Sequence, residues 1–302
     1  MTLGYDGELY ILAFDHRGSF RKDLLGITGS PSPEDVRRIT EAKAVILEGA
    51  LQAVDAGVPR DAAGVLVDEE YGADLARRAR KEGLLMAMPV EKSGQDEFDF
   101  EFGEDFGEHI EEFDPTFAKV LVRYNPEEDA EVNARQLVRL ERLSTWLHDR
   151  GRKLLFELLV PALPEQLEGV GGDRGRYDRE VRPGLMLQAI RDCHERGVEP
   201  DVWKIEGLER EEDCRAVAEE ARSGGRDGVA CVVLGRGADR EAVERWLRSG
   251  AGVPGFIGFA IGRTIWFEPL KAWLQGDVPP DAAAARIAAT YRHMVEVFRQ
   301  GR

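Results

Sequence analysis

Cysteine is scarce in this 302-residue chain: Cys193, Cys214 and Cys231 are an odd set without paired spacing. That argues against a disulfide framework or a zinc ribbon and fits a reducing cytoplasm. Histidine is thin as well. Of His16, His109, His148, His194 and His293, only His16 stands at the end of a strand-like run, and the other four fall in helix-patterned segments that look solvent-facing. A histidine-rich catalytic zinc site is therefore not expected. Positive charge is in deficit, with 41 Lys and Arg against 57 Asp and Glu and a net charge of −16, which disfavours a nucleic-acid backbone as partner. No apolar run approaches the ~20 residues that span a bilayer, so no membrane partner is expected. The opening stretch MTLGYDGELYILAFDHRG lacks the basic region of a secretory leader. The dinucleotide fingerprint G-x-G-x-x-G is missing too, because AFDHRGSF occupies the place after the first strand.

What is present is a regular alternation. Short β-branched or aliphatic runs predict strands at Leu9–Asp15, Gly64–Asp68, Leu84–Pro89, Phe117–Tyr124, Lys153–Val160, Asp201–Glu206, Val229–Leu234 and Phe256–Ile261. Amphipathic stretches between them, such as Pro33–Ala56, Asp129–Arg150, Tyr177–Arg196, Arg210–Arg222 and Asp239–Ser249, predict helices, and Asp281–Arg299 closes the chain. Eight β/α units without a Pro-, Gly- or Ser-rich linker predict a single-domain (β/α)8 TIM barrel over residues 1–302, with an open doubly wound sheet as the alternative. The segment Gln95–Phe113 is unusual, with nine carboxylates interleaved with five phenylalanines. It reads first as a solvated excursion that tucks its rings onto the body, and second as a lid.

In a barrel, chemistry sits at the C-terminal ends of the strands. Those ends hold Asp15-His16-Arg17 after the first strand, Asp68-Glu69-Glu70 after the second and Glu91-Lys92-Ser93 after the third. The fourth strand contains Lys119 and Arg123, the fifth Glu157, and the sixth Lys204 and Glu206. Charges inside apolar strands are costly unless paired. Lys204 in DVWKIEGL is one of only eight lysines. It reads either as a partner of Glu157 or Glu206 in a buried network, or as an amine that burial and neighbouring cations leave partly neutral and able to attack a carbonyl. Glu157 in KLLFELLVP reads as charge compensation or as a general acid–base whose pKa burial raises. Lys119 could be the cation beside Lys204, or it could neutralise a carboxylate.

The turns Gly235-Arg236 and Gly262-Arg263, after the seventh and eighth strands, stand where many barrels bind phosphate. Their arginines could instead pair with surface acids. A magnesium held by Asp15, Asp68 or Glu70 is an open possibility on carboxylate content alone; no metal and no organic cofactor is expected.

FDHRG, VDEEYG, KVLVRYN, LFELLVP, DVWKIEG and GFAIGRTIW resemble, in order and position, the tagatose-bisphosphate aldolase family of class I aldolases. AMPVEKSGQDEFDFEFGEDF and FDPTFAKVLVRYNPE more closely resemble the aldolase-like C-terminal half of the bifunctional kinase/aldolase proteins of myo-inositol catabolism; the sugar-kinase half has no counterpart here. The resemblance implies that Lys204 forms the Schiff base, Glu157 shuttles protons at the cleaved bond and Lys119 is an active-site lysine. It further implies that Asp15 and Arg17 form a polar cluster and that Gly262 and Arg263 bind phosphate. His16 stands where the tagatose enzymes have glutamine. The implied partner is a phosphorylated sugar, 5-dehydro-2-deoxygluconate 6-phosphate in the inositol pathway, and self-association into a homo-oligomer is expected. Asp68, Glu70, Arg123, Gly235 and Arg236 complete the expected substrate-binding set. Another ketose phosphate, a transaldolase reaction or a non-catalytic sugar-phosphate sensor are the alternatives.

Overall fold

A computed structural model describes residues 2–302. Eight parallel strands close on themselves in sequential order: β1 (Leu9–Ala13), β2 (Ala63–Leu66), β3 (Leu85–Pro89), β4 (Phe117–Arg123), β5 (Lys153–Leu159), β6 (Val202–Glu206), β7 (Ala230–Leu234) and β8 (Phe256–Ile261), with β8 pairing back onto β1. The helices surround them: α1 (Pro33–Asp55), α2 (Glu69–Lys81), α3 (Phe106–Phe113), α4 (Ala130–Asp149), α5 (Pro164–Gly169), α6 (Arg174–Arg176), α7 (Arg182–Arg196), α8 (Glu211–Ala221), α9 (Arg240–Ala251), α10 (Arg263–Leu274) and α11 (Pro280–Gln300). The alternation therefore builds the (β/α)8 barrel, not the open sheet.

All eight expected strands exist, but several are shorter at their polar ends. β1 stops at Ala13 and β2 at Leu66, because Asp15 and Asp68 leave the ladder. Asp68 instead caps α2, accepting from the Tyr71 backbone N–H, as short acids do at helix starts. The expected helix Tyr177–Arg196 begins with a wider-wound turn, Tyr177–Val181, before Pro183 sits in the first turn of α7. The turn at Gly262 leads straight into α10, a helix not among the expected ones.

Strand residues alternate between two apolar layers. Leu9, Ile11, Phe117, Leu155, Val202 and Val232 belong to a lumen cluster, while their neighbours Tyr10, Leu12, Phe156, Trp203 and Val233 pack under the helices. The lumen series on β4 and β5 thus runs Phe117, Lys119, Leu121, Arg123 and Leu155, Glu157, Leu159, apolar at the bottom and charged above. The bottom is tied by Asp201, which accepts from the backbone of Gly4 at 2.9 Å and Leu154 at 2.8 Å and pairs with Lys153 at 3.2 Å.

Among the described residues, no helix is long and apolar enough to cross a membrane.

Candidate active site

Register puts Glu157 and Lys204 directly side by side, as Cα partners on β5 and β6. Both face the lumen, where each is under a tenth exposed, and the Lys204 Nζ lies 2.9 Å from the Glu157 Oε2. The same oxygen is 3.1 Å from the Nζ of Lys119 on β4. Lys119 in turn contacts Asp15 at 2.9 Å and Glu91 at 2.7 Å. Two lysines and three carboxylates are thereby packed into one buried cluster at the mouth of the barrel. Each isolated ion would cost several kcal/mol to desolvate, so the cluster holds only because its charges alternate.

Alternation sets the protonation of its members. Burial opposes the Lys119 ammonium, yet Asp15, Glu157 and Glu91 around it hold its pKa well above the ordinary lysine value. Burial likewise works against the Glu157 carboxylate, but Lys119 and Lys204 overcome it and hold its pKa below normal. The expectation that burial would raise the Glu157 pKa is thus overturned by its two cationic neighbours. Of the alternatives open for Lys204 and Lys119, the contacts are those of a buried network, with both ammonium groups on the Glu157 carboxylate. Asp15 is also held low, with Lys119, His16 and Lys204 outweighing burial. Glu91 goes the other way: burial dominates and raises its pKa despite Lys119, and its Oε2 has no hydrogen-bond partner.

A cavity of about 650 Å³ opens over this cluster. Of the residues singled out in the sequence, Asp15, His16, Arg17, Lys119, Arg123, Glu157, Lys204, Gly235, Arg236, Gly262 and Arg263 all line it. Asp68 and Glu70 do not, and this corrects their expected place in the substrate site. Asp68 is wholly buried against Lys43 on α1, and Glu70 is exposed on the surface of α2. Glu91, noted at the end of the third strand but given no role, also lines the cavity; it lies beyond β3, where strand-face alternation does not say which way it points. His109, expected at the surface, is buried: its ring packs on Phe102 and Phe113 beside Glu69.

The Phe-rich acidic segment forms one wall. Phe98, Phe100 and Phe106 pack together and against Trp146, while Glu97 and Glu104 pair with arginines of α4. Glu101 reaches Arg17 at 2.9 Å, and Arg17 donates to the Glu91 carbonyl at 2.7 Å. The reading of rings tucked onto the body describes its packing, and Gln95–Phe98 additionally face the cavity.

The two arginine turns differ. Arg236, at φ 51°, pairs with Glu206 at 2.9 Å and Asp178 at 2.8 Å, so its guanidinium is occupied by acids. Arg263 has no carboxylate within 4 Å among the described residues; it packs over Gly237 and donates to the Arg236 carbonyl at 3.4 Å. It opens α10, whose N-cap Gly262 brings no side chain to the first N–H groups; Ile265 N–H donates to the Gly262 carbonyl at 2.8 Å, and those of Arg263 and Thr264 precede it. His16 lies between this helix start and the charged cluster. Burial, together with Arg263, Lys204 and Lys43, lowers its pKa to about 4 against the pull of Asp15, so its imidazole is neutral at pH 7. Among the described residues, no three His, Cys, Asp or Glu side chains gather as metal ligands would.

A closed parallel barrel with its polar cluster at the C-terminal strand ends places the chain in the (β/α)8 class. Within it, the chain belongs to the family described as "Uncharacterized protein conserved in bacteria (DUF2090)", whose model matches residues 4–302. Tagatose 1,6-diphosphate aldolase of Listeria monocytogenes serotype 4b is 32% identical over 206 residues, 66% of this chain and 56% of that enzyme. The Listeria innocua enzyme of the same name is 32% identical over 142 residues, 45% of this chain and 38% of its own length. The matches thus span between about two fifths and just over half of these relatives. Among solved structures, Plasmodium falciparum fructose-bisphosphate aldolase superposes with a TM-score of 0.69 at 13% identity, covering 97% of this chain and 91% of that one. A Corynebacterium glutamicum protein gives 0.59 at 19% identity, with 97% and 88% covered. At such identities the likeness is one of fold.

Proposed function

We propose that this chain is a class I aldolase that cleaves a ketose phosphate through a Schiff base on Lys204. The observation that carries the reading is the lumen-facing Lys204–Glu157 pair on adjacent strands, 2.9 Å apart, with Lys119 on the far side of the same carboxylate. The similarity to tagatose 1,6-diphosphate aldolases supports the reaction class.

In this account Glu157 takes a proton from Lys204, the neutral amine adds to the ketone carbon, and Glu157 returns the proton to the hydroxyl that leaves as water, which gives an iminium and an ionised Glu157. Glu157, kept ionised by its cations, takes the proton from the hydroxyl on the carbon β to the iminium carbon. The bond between the α and β carbons breaks; its electron pair forms the enamine and the β carbon leaves as an aldehyde. Protonation of the enamine at the α carbon and hydrolysis by water then release dihydroxyacetone phosphate and free Lys204. Lys119 stays protonated throughout and steadies the charge on Glu157. Arg263 and the first N–H groups of α10 would hold the phosphate. The substrate we propose is 5-dehydro-2-deoxygluconate 6-phosphate, giving malonate semialdehyde as the aldehyde.

The test is turnover on a panel of ketose phosphates, with dihydroxyacetone phosphate measured as product. Cleavage of 5-dehydro-2-deoxygluconate 6-phosphate by the native chain and none by Lys204→Arg is the expected result. Cleavage by Lys204→Arg at the native rate contradicts the mechanism, and no turnover on any member contradicts the reaction class.

A further inference from the structure

Lys43 lies on α1, outside the barrel, and is completely buried. An ammonium has three N–H donors. Those of Lys43 reach the carbonyl of Phe14 at 2.9 Å, the carbonyl of His16 at 3.0 Å and the Asp68 carboxylate. The Phe14 carbonyl lies in the peptide that precedes Asp15 and the His16 carbonyl in the peptide that follows His16, so one side chain holds both ends of the Asp15-His16 pair. Asp68 is fixed in its turn, because its other oxygen caps α2 through the Tyr71 N–H at 3.0 Å. The rings of Phe20 and Tyr71 lie 5.3 and 5.7 Å from the Lys43 Nζ, closing the space around it. The ladder of β1 ends at Ala13, and beyond it the Phe14 N–H reaches Leu66 at 2.8 Å. Past that bond Lys119 holds the Asp15 side chain and Trp266 packs on the His16 ring, and it is Lys43 that takes the Phe14 and His16 carbonyls.

A buried ion pair is a poor way to gain stability, since an apolar pair of similar volume often does as well. What an apolar pair cannot do is orient two carbonyls. We propose that Lys43, with Asp68 as its anchor, is a positioning residue that sets Asp15 and His16 over the reacting cluster. The kinetic part of this rests on the aldolase reading; the placement of His16 does not.

The groups whose charges reach the His16 ring are Asp15, Arg263, Lys204 and Lys43. The test uses the full chain with Lys43→Met/Asp68→Asn, which removes both charges yet keeps a good N-cap at position 68. Two readouts are taken beside the melting temperature: kcat and KM on the ketose phosphate that the native chain cleaves, and the His16 titration midpoint by NMR. The expected result is kcat lowered about 10- to 100-fold with KM within about threefold, the usual cost of misplacing a catalytic constellation by about an ångström. The His16 midpoint should rise from about 4 toward the ordinary histidine value as the cation is lost and the turn loosens. A lowered melting temperature with kcat or the His16 midpoint unchanged overturns the proposal and leaves the pair a structural one. If the methionine variant does not fold, Lys43→Gln/Asp68→Asn, which keeps two N–H donors, carries the same readouts. If the native chain turns over no ketose phosphate, the aldolase reading fails, and the backbone amide shifts of Asp15 and His16 in the same NMR experiment decide whether Lys43 places the turn, unchanged shifts overturning the proposal.

Discussion

Glu157 shares one carboxylate oxygen between two ammonium groups, and the consequences of removing either differ. Among the described residues, Lys119 is the only cation paired with the Glu91 carboxylate, and it also pairs with Asp15 and Glu157. Lys119→Met should therefore leave buried acids facing one another and cost about 3–5 kcal/mol, the usual penalty for breaking a buried pair from one side. Lys204→Met leaves Glu157 still paired with Lys119 and should cost under about 1 kcal/mol while abolishing cleavage. Denaturant unfolding of the two variants checks this, and equal losses of stability would contradict the assigned division of labour. Glu157→Gln should slow cleavage by about 10²–10⁴ in single-turnover measurements; an unchanged rate would remove it from proton transfer.

At the scale of elements, the helix starts carry the next tests. Glu69 opens α2 and is largely buried beside Arg17 and His109; burial raises its pKa to about 7. A carboxyl whose folded pKa exceeds its unfolded value binds more protons when folded, so its penalty is full above pH 7 and fades as pH falls toward about 4.5. Glu69→Gln should thus raise the melting temperature by a few degrees at pH 8 and leave it unchanged near pH 4, with a shift that is the same at both pH values as the contrary result. At the start of α10, Arg263→Ala should raise KM for a phosphorylated substrate by roughly 10- to 150-fold, the loss of a charge-assisted contact worth about 1.5–3 kcal/mol. Unchanged KM with intact folding would make Arg263 a turn residue. The strands were readable in the sequence because eight apolar runs are separated by polar, helix-patterned stretches, and Lys119, Glu157 and Lys204 stood out as charges within such runs. Period-two alternation placed Lys204 on a face with Val202 and Glu206, but it could not reveal the register that sets Glu157 beside it. Nor could it show that Asp68 turns away to cap α2, or that Arg236 is already claimed by Glu206 and Asp178, because those contacts join positions far apart in the chain. The position of Glu91 at a strand end was legible, but its role was not, because its partner Lys119 lies 28 residues on.

Across the whole molecule, barrel order arranges the parts in the sequence that the proposed reaction needs. Arg263 stands after β8, Lys204 on β6, Glu157 on β5 and Arg123 on β4, around one cavity. In the proposed reaction the phosphate, the ketone carbon and the hydroxyl of the cleaved bond would meet the first three in turn. Acid should dismantle this arrangement. Asp15 and Glu157 have depressed pKa values in the fold, so the stability they contribute is present above their unfolded values near 4 and is lost as pH falls through the folded ones. The central claim is that Lys204 is the nucleophile, and borohydride reduction in the presence of dihydroxyacetone phosphate, followed by mass mapping of the modified peptide, tests it most directly. The account predicts irreversible inactivation with a single reduced adduct on Lys204, and none in Lys204→Arg. An adduct on Lys119 or Lys92, or no adduct on any lysine while the ligand still binds, would contradict it.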